Sequence, residues 1–386
     1  IYVASYLTLY RLMRHFEIRT STVLIVLFCY SVSPLNIYYN RALIPDNLAI
    51  LFSFLSLLLF VCWDGGGKEY DYVGLLITGI MATLIKNPIY LPIPVAIIVF
   101  YASHRNWKRL FSLRLLFYGG TLAATVIVFK LYTNYVNAGM FRTPAWEFQW
   151  YFSDLIGRFD WRSYDILVKR LIGEISLPIF VALLPLGFSL YLNTTAGSEY
   201  RRLPVGLLIG SASTVLLFFN VNVVHDYYQL PYVFIVSFFV GYCIDWIRIK
   251  SSFFVGTKPS SRRWRLFDWS IIAFLVALSV VATRVYALPI SVPPDRAAAG
   301  ALIRAHTPED AFVVYVIDEA DWDPSYLYYA RREGYNLAVE EFRPQYLLDI
   351  TSRFATEGRP VYLYVPSNLR LRLTNQIENS TWKTVV

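Results

Sequence analysis

Charge is scarce in this sequence. Only 16% of its 386 residues are Asp, Glu, Lys or Arg, and 56% are hydrophobic. Soluble globular proteins carry about 25% charged residues, because their surface must be wetted. The last hundred residues or so are charged like an ordinary protein, so the deficit falls on the first three quarters of the chain. Apolar runs of roughly 14 to 20 residues recur there, a length that matches the hydrocarbon core of a bilayer. Runs such as Asn47 to Trp63 also lack the polar face that a water-soluble core helix shows every 3.6 residues.

Other absences narrow the field further. There are three cysteines, Cys29, Cys62 and Cys243, and each falls within an apolar run; they give neither a metal spacing nor a disulfide framework. No Gly-rich phosphate loop, nucleophile elbow or metal cluster occurs in the polar C-terminal region. Neither an internal repeat of 20–50 residues nor a low-complexity tract is visible. The sequence opens on Ile1 inside an apolar stretch, without Met or a basic leader, and is expected to be a fragment whose true N-terminus is missing.

What the sequence has is a rhythm of apolar runs. They predict about ten spans: 1–13 (cut short), 20–39, 47–63, 72–85, 89–101, 113–133, 175–192, 204–220, 230–247 and 269–288. The short runs 72–85 and 89–101 flank Lys86-Asn87-Pro88, which predicts either tilted helices meeting at a turn or one span broken by the proline. The net charge of +8 would suit a nucleic-acid partner, but the basic residues lie between apolar runs, the signature of membrane topology. About sixteen of them fall in one set of connections, 64–71, 102–112, 193–203 and 248–268 together with Arg11, Arg14 and Arg19; the short loops of the other set hold only Arg41 and Lys86. That asymmetry makes the first set cytoplasmic and puts 134–174 and the tail outside.

The expected architecture is therefore an α-helical polytopic bundle over 1–288 and a small extracytoplasmic α/β domain over 289–386. In the tail, Phe312 to Ile317 and Val361 to Val365 read as strands. Tyr326 to Glu333 and Gln345 to Glu357 read as helices stopped by Gly334 and Gly358. Alternation of this kind favours a small, mainly parallel sheet. The outer loop 134–174 carries Trp146, Trp150, Tyr151, Phe152 and Trp161, which suits an interfacial aromatic belt or a lip over a lipid-substrate groove.

Strongly polar residues gather at three expected outer span ends: Tyr38-Tyr39-Asn40-Arg41 with Asp46, then Lys86-Asn87-Pro88, then His225-Asp226-Tyr227-Tyr228 through Pro231. Each has a plain structural use. Asp46 would cap its helix, Lys86 would snorkel, and His225 with the tyrosines would form an interface belt. Together they supply cations, a carboxylate, an imidazole and phenols, which can hold a phosphate while a carboxylate accepts a proton.

The three clusters, in this order and spacing, resemble the polyprenyl-phosphate-sugar-dependent glycosyltransferases of the C-type membrane fold, related to glycosyltransferase family 39. These include bacterial relatives of the protein O-mannosyltransferases and the lipid A aminoarabinose transferases. Pro34, Arg41 and Asp46 match a Pro, then an Arg and an Asp opening the next span. Leu84-Ile85-Lys86-Asn87-Pro88 matches a Leu-x-Lys-Gly-Pro-like stretch, with Asn87 in place of the usual Gly. His225, Tyr227, Tyr228 and Pro231 match His-x-Tyr-Tyr-x-x-Pro. The resemblance covers essentially the whole chain.

It implies an integral, multi-pass protein of the plasma or inner membrane. Such an enzyme moves a hexose or pentose from a polyprenyl-phosphate donor to a glycan, lipid or protein acceptor on the outer face. Arg41, Lys86 and His225 would bind the donor phosphate, Tyr227 and Tyr228 would position donor or sugar, and Asp46 would be the secondary acid. The principal acid is expected in the missing N-terminal loop. No cofactor is specified and a divalent metal is left open, since one carboxylate and one histidine do not define a site. The alternatives are a transporter or flippase of lipid-linked saccharides, which predicts charges deep within spans and an internal repeat, and a non-catalytic membrane assembly subunit.

Overall fold

The computed structural model describes residues 1–41, 44–136, 150–152, 157–194, 199–254, 262–282, 284, 294–317, 325–339, 348, 351–354, 358–366 and 369. The chain separates into two compact units, Ile1–Pro289 and Ile290–Val386.

The first unit is helical. Among the described residues, Asp46–Asp64, Glu69–Tyr90, Leu113–Val136 and Asp226–Ser251 are each long and apolar enough to cross a membrane. Two bent pairs raise the number of candidate spans to six: Thr20–Ser31 with Pro34–Asn40, bent by 68°, and Trp161–Ile175 with Pro178–Asn193, bent by 97°. The chain is thus a multi-span α-helical membrane protein, but the ten spans expected from hydropathy are not all present as continuous helices. Proline and short polar residues interrupt them. The run 20–39 becomes α2 (Thr20–Ser31) and α3 (Pro34–Arg41), because Pro34 brings no N–H to continue the ladder. The expected spans 72–85 and 89–101 become α5 (Glu69–Tyr90), broken at Lys86, and α6 (Pro92–Ser103). The run 204–220 divides at Phe218 into α11 (Leu203–Leu217) and α12 (Phe219–Val224). Part of 269–288 lies outside the described residues.

Each break exposes backbone groups that lipid cannot satisfy, and side chains take them up. At the α2–α3 bend, Asn36 Nδ2 donates to Tyr30 O at 2.8 Å and Ser33 Oγ to Ile175 O at 2.8 Å. The second bend is held by Ser176 Oγ, which donates to Leu171 O at 2.7 Å.

Close packing between helices rests on small residues. Gly206 and Gly210, four apart on α11, lie against the backbone of α6. A Cβ on Gly210 would fall 2.5 Å from Pro92 O, and one on Gly206 would fall 2.8 Å from Ala96 O. Two buried carboxylates tie other helix ends. Asp64, at the last turn of α4 (Asp46–Asp64), pairs with Arg109 Nε at 2.9 Å and accepts from Tyr101 and Tyr200. Asp245, in α13 (Leu230–Phe254), accepts from Thr22 Oγ1 at 2.6 Å and pairs with Arg248 at 3.2 Å.

The second unit holds a three-stranded, wholly parallel sheet of order β2-β1-β3, with β1 Phe312–Ile317, β2 Glu333–Ala338 and β3 Val361–Tyr364. Alternate residues of β1 face two separate cores, as strand geometry requires: Phe312, Val314 and Val316 pack with Leu337, and Val313, Tyr315 and Ile317 with Leu327. Gly334 does not stop a helix as its sequence context suggests. It pairs with Val313 inside β2, where a Cβ would lie 2.1 Å from Val313 O. The preceding helix, Ser325–Ala330, ends instead at Arg331, which takes the left-handed conformation at φ +52°. Most of the expected helix 345–357 lies outside the described residues; 351–354 are helical and Gly358 follows at φ +69°.

Candidate functional site

The N-terminal turn of α4, the break in α5 and the turn preceding α13 meet at one end of the bundle. At Lys86 the backbone leaves the helix for an extended conformation, φ −161° and ψ 92°. Pro88, two residues on, supplies no N–H to the Leu84 carbonyl. The break needs no left-handed residue, and Asn87 is not in that region, so the departure from Gly-Pro places no strain here. The effect of the break is to aim the lysine side chain out of its own helix.

Lys86 Nζ meets Asp46 Oδ1 at 2.8 Å. The contact is one of charge more than of direction, since Oδ1 accepts no well-angled hydrogen bond. Asp46 is not the helix cap: Pro45 holds that position and no side-chain cap forms. The lysine is also held over two rings, 3.9 Å from the centroid of Tyr227 and 4.4 Å from that of Tyr228. A desolvated cation–π contact contributes about 2 kcal/mol. His225 stacks on Tyr227 with centroids 4.9 Å apart and planes inclined by 17°. Thus Asp46, Lys86, Tyr227, Tyr228 and His225 form one continuous cluster drawn from distant parts of the sequence. Arg41 ends α3, but its side chain lies outside the described residues.

Residues that carried no assigned role complete the cluster. Tyr39 donates a hydrogen bond to Asp226 Oδ1 and stands edge-on to Tyr227 at 6.0 Å. Asn47 Nδ2 donates to Tyr39 O at 2.7 Å, joining α4 to α3. Tyr39, Asn47 and Asp226 all sit beside recognised residues in the sequence, so adjacency was the signal. From the segment before the 97° bend, α9 (Trp161–Arg170) brings Arg170, whose Nε lies 3.7 Å from Glu174 Oε2. The pair is spaced i, i+4, a local signal that could have marked it. Trp150 approaches His225 edge-on at 5.9 Å, and Phe152 stacks on Phe218 at 5.4 Å. These two aromatics pack on the histidine segment and on the break at Phe218, and Trp146 lies outside the described residues.

A small, mostly apolar cavity lies one turn deeper into the bundle, lined in part by Ile50, Phe54, Ile89, Pro92 and Phe234. Ile50 follows Asp46 by one helical turn and Ile89 follows Lys86 by about one. The polar cluster therefore borders an apolar part of the bundle core.

Among the described residues no three His, Cys, Asp or Glu side chains gather around a point where one ion could sit. Asp46 is engaged by Lys86 and Asp226 by Tyr39; the described residues do not build a metal site.

No protein-family model matches this sequence, and no curated protein matches it.

Proposed function

We propose that this chain is a glycosyltransferase that moves a sugar from a polyprenyl-phosphate donor to an acceptor on the outer face of the membrane. The observation that carries the reading is a largely buried lysine, paired with a carboxylate and caged by two tyrosines, inside the helical bundle. A buried ion pair is poor evidence for a stabilising role, because desolvating both charges offsets most of their attraction. A membrane protein that retains one inside its bundle has a use for it. The phosphate head of a lipid-linked donor suits the lysine and its cage.

The chemistry follows from that placement. Transfer breaks the bond between the sugar anomeric carbon and the phosphate oxygen, forms a bond to the acceptor oxygen, and leaves a lipid phosphate. Lys86 and the donors around it stabilise the leaving phosphate, and the caged arrangement costs no reorganisation at that moment. Asp46 is released from Lys86 as phosphate takes its place, and so becomes available to orient the acceptor or accept its proton. His225 and Tyr227 form the wall against which the sugar phosphate is held. Arg41 and the full C-type bundle with its outer tail complete the reading, and the Lys/Arg asymmetry supports an outward-facing site. The deciding experiment is transfer by the purified protein in lipid nanodiscs, with polyprenyl-phosphate sugars as donors and release of polyprenyl phosphate as the readout. Donor-dependent release that Lys86→Ala abolishes supports the reading, and release unaffected by that change contradicts it.

A further inference from the structure

The histidine segment lies between two helix ends. α11 stops at Leu217, Phe218 adopts φ −96° and ψ 50°, α12 runs only from Phe219 to Val224, and His225 is extended at φ −119° and ψ 126°. Each end leaves carbonyls with no partner in the helix, and the bilayer supplies none.

Two arginines from the loop that precedes α10 (Pro178–Thr194) fill these vacancies. Arg158 Nη1 donates to Leu216 O at 2.9 Å and Nη2 to Leu217 O at 3.2 Å. Its Nε and Nη2 also donate to Phe152 O, at 3.1 and 2.7 Å. Arg170 Nη1 donates to Asn222 O at 2.7 Å and Nη2 to Val224 O at 3.2 Å. Both forks are spent on backbone, and Glu174 stands behind Arg170. The same loop grips α12 through Tyr164 against Phe219 at 5.3 Å, and Asn220 Nδ2 donates back to Trp150 O at 2.8 Å. Gln229 Nε2 donates to Asn222 O at 2.9 Å, so the carbonyl that Arg170 holds also anchors the far side of the His225–Tyr228 turn.

We infer that the loop is a clamp and that Arg170, seconded by Arg158, is a positioning residue for the tyrosine cage. Its fork fixes Val224, the residue before His225, and Asn222, the anchor of Gln229, and thereby sets where Tyr227 and Tyr228 stand over Lys86. This rests on the reading of that cage as a donor-phosphate site. Lysine cannot replace the fork, because its point charge does not span two carbonyls at fixed angles. The function of Arg170 is therefore geometric, and the clamp explains why a long loop is spent on a short broken span.

The test uses the full chain in lipid nanodiscs. Amide hydrogen exchange over residues 222–229 reports the clamp, and binding of sugar-free polyprenyl phosphate together with donor KM and kcat reports the cage. Arg170→Ala and Arg170→Lys are expected to speed exchange in that segment at least tenfold while leaving residues 50–60 unchanged. They should weaken polyprenyl-phosphate binding and raise donor KM about tenfold, with kcat within about threefold and acceptor KM unmoved. Arg158→Ala should show the same pattern more weakly, and methylguanidinium should restore binding to Arg170→Ala. Unchanged exchange overturns the clamp, and faster exchange with unchanged binding overturns the positioning role. A wild-type protein that binds no polyprenyl phosphate overturns the reading of the cage on which the inference rests, and exchange then reports separately whether the clamp exists.

Discussion

Lys86 meets Asp46 at 2.8 Å, with 17% of the lysine side chain and 3% of the aspartate side chain exposed. One stands at a helix break and the other opens the neighbouring helix, so the pair joins two spans at the same end of the bundle. Neither position is dictated by helix propensity. The break turns the lysine inward, and the carboxylate is free to meet it because it does not cap its own helix.

Removing one partner should therefore be worse than removing both. Asp46→Asn or Lys86→Met alone leaves a buried charge without its counterion, which costs about 3–5 kcal/mol. The double variant is expected to recover most of that loss. Thermal unfolding of the purified protein in detergent measures this, and a double variant as unstable as the sum of the two singles would show that the charges do not act as a pair.

Helix packing gives a second expectation. Gly210→Leu would drive a side chain into the backbone of Pro92, and overpacking of this kind costs roughly 1–3 kcal/mol. Thermal unfolding should fall by several degrees, whereas a leucine at Gly119, where a Cβ meets nothing within 4 Å, should be neutral. Equal effects at the two glycines would contradict the close contact.

Sidedness can be settled by chemistry on intact cells. Single cysteines near Trp161 or Gly334 in a Cys-free background should react with an impermeant thiol reagent, and one near Arg263 should not. Labelling near Arg263 from outside would reverse the assignment drawn from the basic loops.

Much of this arrangement was legible in the sequence, for reasons that differ from residue to residue. Asp46, Lys86 and the His225–Tyr228 run stand out because polar side chains are rare among apolar runs, and β1 and β3 because short β-branched stretches sit in a polar tail. Which apolar runs continue as one straight helix was not legible. Hydropathy sums over a window, and breaks such as Ser33-Pro34 or Phe218 change direction without changing composition. The glycine at 334 was misread because a helix stop and a close strand contact use the same residue type. The carbonyls that Arg158 and Arg170 hold at the broken span could not be found locally, since they lie more than fifty residues away.

The tail should fold alone, with a defined response to alkali. Burial, followed by the neighbouring phenols of Tyr326 and Tyr364, pushes the Tyr315 hydroxyl above the usual tyrosine range. An unfolded chain would ionise that group at about pH 10 while the folded one keeps its proton, so the contribution is complete below that pH and is lost as pH rises further. Residues 290–386 expressed alone should give α/β circular dichroism that weakens above about pH 10, with the loss reduced in Tyr315→Phe. A product unfolded at neutral pH would show that the tail depends on the bundle.

The most direct measurement is binding of sugar-free polyprenyl phosphate to the full-length protein in nanodiscs, compared across Lys86 and its cage. Lys86→Ala should lose a charge-assisted contact of roughly 1.5–3 kcal/mol, about ten- to hundredfold in affinity. Tyr227→Phe, which keeps the ring, should bind as wild type, and Tyr227→Ala should bind about tenfold more weakly. Wild-type affinity in both Lys86→Ala and Tyr227→Ala would contradict the account, and leave the cluster as an anchor at the membrane surface.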